Sequence, residues 1–169
     1  MITSRVSLMS LGALLGARGV QSVGSRPAPS TPPMPGPRVF TVEQVNEMIP
    51  RLESVFGRLD RIRSRLRALQ LRVNALEMIW GSDVHSEDHP DHGELGHHLA
   101  GMQEAQEAFE RVSRRIPRMG GKLKSVEPAL VDFYGVREGR LVSWCWTRGE
   151  SHVEHWHHVD QGFAQRQSV

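Results

Sequence analysis

Nine histidines stand among the 169 residues, and they fall into two groups. His85, His89, His92, His97 and His98 lie in the middle of the chain, and His152, His155, His157 and His158 lie near its end. Both groups are mixed with carboxylates, Asp83, Asp88, Asp91 and Glu94 in the first, Glu150, Glu154 and Asp160 in the second. Imidazole nitrogens beside carboxylate oxygens are a ligand set suited to a divalent transition metal such as zinc, iron or nickel. His155 and His157, two residues apart, project from one face if their segment is a strand, and with Glu150 they form a candidate metal site. His85, His89 and His92 form a second candidate set, for which a solvated, metal-scavenging loop is the simpler reading. Glu94-x-x-His97 resembles half of a di-iron carboxylate site, but no interior Glu or His faces it to supply the other half. Glu150 with His157 is also a candidate acid/base pair, provided the chain folds back to join them.

Other catalytic patterns are absent from the sequence. There is no glycine-rich loop ending in Lys-Ser or Lys-Thr, no dinucleotide fingerprint, no Cys-x-x-Cys and no nucleophile-elbow serine. Cys145 is the sole cysteine and stands between Trp144 and Trp146, which reads as a small buried hydrophobe rather than a nucleophile. One cysteine excludes an intrachain disulfide framework and a multi-cysteine zinc ribbon, and points to a reducing compartment such as the cytoplasm.

The net charge of +2 and a pI near 9.2 suggest a basic protein, but the excess is local. Residues 1–38 hold four arginines and no acid, and the rest of the chain holds 17 basic against 19 acidic side chains. Within 1–38, the stretch Val6 to Ala17 behind Arg5 is mildly apolar and free of acids, while residues 25–38 hold six of the ten prolines. That composition predicts a disordered, proline-rich extension, read as a dispensable or misassigned start, a targeting segment or a docking arm. No apolar run approaches the roughly 18–20 residues that span a bilayer.

The elements that must position the candidate residues begin at Phe40. Thr41 with Gln44 is a capping box, Phe40 is a hydrophobic staple, and a helix starts at Val42. Pro50 predicts a kink or short break. Leu52, Val55, Leu59, Ile62, Leu66, Leu69, Val73 and Leu76, continuing to Trp80, repeat with the 3,4 spacing of a coiled-coil seam. Residues 81–93 read as a polar loop. A second helix follows with Leu95, Leu99, Met102, Ala105, Phe109, Val112 and Ile116 as its inner stripe, ending before Pro117. An antiparallel hairpin over 42–118 results. It sets Arg67 and Arg72 beside Glu104, Glu107 and Glu110, and leaves Arg111, Arg114, Arg115 and Arg118 at its open end as a candidate anion or nucleic-acid footprint without aromatic interleaving.

After Gly121 the period changes from 3.6 to 2. Leu130–Tyr134, Leu141–Trp146 and His152–Trp156 read as three antiparallel strands, with a turn at Glu138-Gly139, in a module over 128–158. So small a sheet, rich in tryptophan, must bury one face on the hairpin. The fold class is α+β, a coiled-coil-like helical hairpin followed by a small antiparallel meander, with residues 39–169 as one domain.

Phe40 through Leu52, Leu130-Val131-Asp132-Phe133, Cys145-Trp146, Gly149-Glu150, Trp156-His157, and Asp160-Gln161-Gly162-Phe163 through Arg166 occur in an order and spacing that resembles the bacterial domain-of-unknown-function family 2203, over residues 39–168. The resemblance implies a helical pair followed by a short strand-rich segment, with no established activity. The long N-terminal extension and the extra histidines depart from it.

Together these readings favour a noncatalytic scaffold that self-associates or binds another helical protein through its seam. The alternative is a metal-binding protein or small metalloenzyme using His155, His157 and Glu150 with a divalent transition metal. A third is weak nucleic-acid or anion binding at the basic end of the hairpin.

Overall fold

The structure is a computed structural model and describes residues 37–169. The proline-rich extension expected over 1–38 lies, but for its last two residues, outside the described residues. Helix α1 (Val42–Trp80) is 39 residues long, which at 1.5 Å per residue makes it about 58 Å. It opens on the expected capping box. The Thr41 hydroxyl accepts from the Gln44 N–H, and the Gln44 side chain accepts from the Thr41 N–H. Phe40 does more than staple the first turn. It packs edge-on against Phe133 at 5.6 Å, its N–H donates to the Tyr134 carbonyl, and its own carbonyl accepts from Trp144 Nε1.

The break expected at Pro50 is absent, and α1 runs through it. Pro50 itself is exposed, so its ring points away from the core and only the bond from its missing N–H to the Asn46 carbonyl is lost. Nearby, the Asn46 side chain accepts from the Val153 N–H at 2.7 Å and ties α1 to the sheet.

Helix α2 (His92–Ser113) returns antiparallel to α1, and a short α3 (Arg115–Arg118) follows. The second helix was expected to run to Ile116, but it ends at Ser113. Pro117 then sits in the first turn of α3, where no intrahelical N–H is needed. The inner face of α2 is also rotated from expectation. Leu95, His98, Gly101 and Ala105 are buried, whereas Leu99 is 43% exposed. Gly101 faces α1 on this inner side, where a Cβ would stand 3.3 Å from Leu69.

Five strands form one antiparallel sheet in sequential order, β1 (Gly121–Val126), β2 (Ala129–Arg137), β3 (Arg140–Thr147), β4 (His155–His158) and β5 (Gln167–Ser168). Three had been expected. β1 and β5 extend the module beyond 128–158 on both sides, and the third expected strand lies at His155–His158 instead of His152–Trp156. The β2–β3 turn falls at Glu138-Gly139, both with positive φ (52° and 73°), the two-residue hairpin whose twist matches its strands.

The main core joins the first half of α1 to one face of the sheet. Val45, Ile49, Leu52, Val55, Phe56 and Leu59 pack with Val131, Phe133, Val142, Trp144, Trp146 and Trp156. Each fully buried large side chain contributes about 1.5–3 kcal/mol. Arg148 reaches from the sheet to Glu53, at 3.1 Å, and to Asp60, and its hydrogen bond to Asp60 helps hold its pKa above the usual guanidinium value. A second, smaller core of Val73, Val84 and Leu95 closes the far end of the hairpin. Between the two, Ile62, Leu66 and Leu69 are only half-buried.

Candidate functional site

Side chains alternate along each strand, so the residues not facing the helices share the outer face of the sheet. Register aligns Lys122, Asp132, Cys145 and His155 in one row across β1 to β4, and Tyr134, Ser143 and His157 in the next. Asp132, Ser143, Cys145 and His157 are all buried, which makes this face a polar layer rather than a solvated surface.

His157 Nε2 lies 3.3 Å from Asp132 Oδ2, with both side chains less than a tenth exposed. The other ring nitrogen, Nδ1, lies 2.7 Å from the His158 carbonyl. Each ring nitrogen therefore meets an oxygen acceptor. Lys124 Nζ adds a longer contact to the same carboxylate oxygen, 3.8 Å away. Lys122, Tyr134, Ser143, Val159 and Gln161 complete a cavity of about 20 Å³ around the pair, room for about one water molecule.

The second half of the face is organised by Glu150. Its Oε2 accepts the Thr147 N–H at 2.7 Å, and its backbone carbonyl accepts Trp146 Nε1. Its Oε1 lies 3.5 Å from His155 Nδ1 and 3.9 Å from Arg166 Nη1. His155 Nδ1 is buried and has no hydrogen-bond partner. Arg166 stacks over Phe163, its guanidinium carbon 3.5 Å from the ring centre, and donates to the Thr147 hydroxyl. Cys145 lies beneath, fully buried. Desolvation, reinforced by the nearby Asp132 charge, pushes its thiol up to about 12, so it is a neutral thiol near pH 7 and not a nucleophile.

The structure thus brings Glu150 and His155 together and gives His157 a different carboxylate. The acid/base pair anticipated between Glu150 and His157 does not form, because β4 pairs in a register that places His157 opposite Ser143 and beside Asp132. Glu154 joins the other two. One ligand atom each from Glu150, Glu154 and His155 all lie within 4.8 Å of one another, the one such trio among the described residues.

The tip histidines disperse. His85 meets Glu77 at 3.3 Å, His89 stacks edge-on against Trp80, and His98 meets Glu94 at 3.2 Å, so Glu94 turns to His98 and not to His97. His92 donates its backbone N–H to the His89 carbonyl, while its Nδ1 is buried without a hydrogen-bond partner. At the open end of the hairpin, Arg111 and Arg114 pair with Glu107 and Glu110 one turn before them, while Arg115 and Arg118 line an open depression with Arg51. Across the hairpin the bridge is Arg65 to Glu104, at 3.2 Å, in place of the expected Arg67 and Arg72, which are exposed.

Of the seam, Leu52, Val55, Leu59 and Val73 are buried, and Ile62, Leu66, Leu69 and Leu76 are partly covered. A second apolar row runs along the outer side of α1, beside the seam. Leu71 is 69% exposed, Met78 85% and Ile79 66%, with Ala68 and Ala75 at the intervening turns. The spacing 68, 71, 75, 78 was legible as another 3,4 repeat, masked by the stronger one beside it. Lys124 and Arg166 were missed as parts of the sheet face, since their strand and loop carried no periodic signal.

The family described as Uncharacterized conserved protein (DUF2203) matches the chain over residues 38–169. No curated protein and no solved structure matches it. Five residues that carried the resemblance, Asp132, Cys145, Glu150, His157 and Arg166, meet on the outer sheet face. Among the described residues no helix is long and apolar enough to cross a membrane.

Proposed function

The chain belongs to the DUF2203 family, whose description assigns no activity, and from that starting point we propose that it is a noncatalytic scaffold whose α1 helices associate in pairs. The observation that carries this reading is the exposed row of Leu71, Met78 and Ile79 on a helix whose opposite face is already used. Contiguous large apolar side chains at helical spacing on an outer face are costly in water and are covered by a partner helix. A second copy is the occupant that charge favours. Arg58, Arg61, Arg67 and Arg72 have no ion-pair partner among the described residues, and neither do Asp83, Glu87, Asp88 and Asp91 at the tip. An antiparallel pairing centred between Leu71 and Met78 sets Arg67 of one α1 level with the start of the acidic tip of the other, and the same patch then serves both copies. The lone buried cysteine fits a reducing setting, the bacterial cytoplasm.

The test is a pair of charge substitutions. Leu71→Glu with Met78→Glu leaves the helical signal and thermal unfolding of the monomer intact and abolishes self-association. Association that survives both substitutions removes the reading.

A further inference from the structure

Beyond self-association, the geometry points to a divalent transition-metal site on the sheet, formed by His155 Nδ1 and the carboxylates of Glu150 and Glu154. Three features build it. The ligand types are right, since one imidazole with two carboxylates suits zinc and its neighbours and leaves a position open for water. The distances are near those required. Ligand atoms about 2.1 Å from a tetrahedral ion stand roughly 3.4 Å apart. His155 Nδ1 and Glu150 Oε1 are already 3.5 Å apart, and one ligand atom from each of the three residues lies within 4.8 Å of the others, so closing on an ion takes side-chain shifts of about an ångström.

The third feature is that the backbone beneath all three is fixed before any ion arrives. Glu150 is held by the Thr147 N–H and by Trp146, His155 sits in β4 between Cys145 and Ser168, and the Glu154 carbonyl accepts the Val169 N–H. Preorganised ligands bind without the cost of ordering. His155 Nδ1 also lacks any protein hydrogen-bond partner although it is buried, which a coordinate bond would satisfy. Arg166 stands 3.9 Å from Glu150 and offsets one of the two negative charges, and its stacking on Phe163 and its bond to Thr147 hold it to one side of the carboxylate. His157 takes no part, because it is committed to Asp132 and the His158 carbonyl.

Zinc titration of the untagged full-length protein, read by calorimetry and by metal retained after dialysis, tests the site. The five histidines of the tip region are the source of adventitious binding, so the reference protein carries His85→Ala, His89→Ala and His92→Ala. The site predicts one equivalent of zinc bound by the reference, and any further equivalents bound by wild type are those the tip histidines supply. It also predicts at least about tenfold weaker binding after His155→Ala and after Glu154→Gln, each in the reference background, with unchanged circular dichroism. Saturable binding that disappears in the reference protein, or that persists at full strength in either site variant, overturns the assignment.

Discussion

His157 Nε2 and Asp132 Oδ2 stand 3.3 Å apart across the sheet, both nearly inaccessible to water. A charge so placed depends on its partner, since removing one member of a buried pair strands the other without solvent. Asp132→Ala and His157→Ala are each expected to lower unfolding stability by about 3 kcal/mol, measured by denaturant titration. The double variant should lose less than the sum, which a double-mutant cycle reads directly. Additive losses would mean that the two side chains act separately.

Cys145 is expected to resist modification. With its thiol pushed up to about 12 from an ordinary 9.0, the folded protein should react with a thiol reagent at pH 8 only as fast as it opens. The sign of the linked stability follows. The raised folded value favours the protonated thiol, so the contribution is complete below about pH 9 and is lost as pH rises from there toward 12. Unfolding midpoints between pH 8 and 10.5 should fall more steeply for wild type than for Cys145→Ala.

Gly135 lies against the Trp144 indole, where a Cβ would overlap Nε1, the donor to the Phe40 carbonyl. Gly135→Ala should therefore destabilise by about 2–4 kcal/mol through overpacking and a lost hydrogen bond. Gly57 on α1 has nothing within 4 Å of its missing Cβ. Gly57→Ala should stabilise by about 0.5–1 kcal/mol, because alanine loses less entropy in a helix. Thermal unfolding of the two variants checks both signs.

The order of elements was legible because α1, α2, β2 and β3 each carry a long, unambiguous period. Thr41 with Gln44 and Glu138 with Gly139 marked their boundaries by chemistry that admits few alternatives. What escaped was set by tertiary contact. Nothing local tells that α2 turns Gly101 toward Leu69, His98 in and Leu99 out. β1 and β5 are edge strands, one alternating weakly and the other two residues long, and they exist because β2 and β4 offer partners. In the candidate site, His155 and Glu150 could be read from type and spacing. The commitment of His157 to Asp132 could not, because it depends on the register between strands more than twenty residues apart.

Sedimentation equilibrium of the full-length protein across micromolar to hundred-micromolar concentrations tests the central claim most directly. Self-association through Leu71, Met78 and Ile79 predicts a mass rising toward twice the 19.0 kDa of one chain, with weaker association as salt is raised, because Arg67 and the acidic tip attract across the interface. A mass of one chain at every concentration and every salt would contradict it.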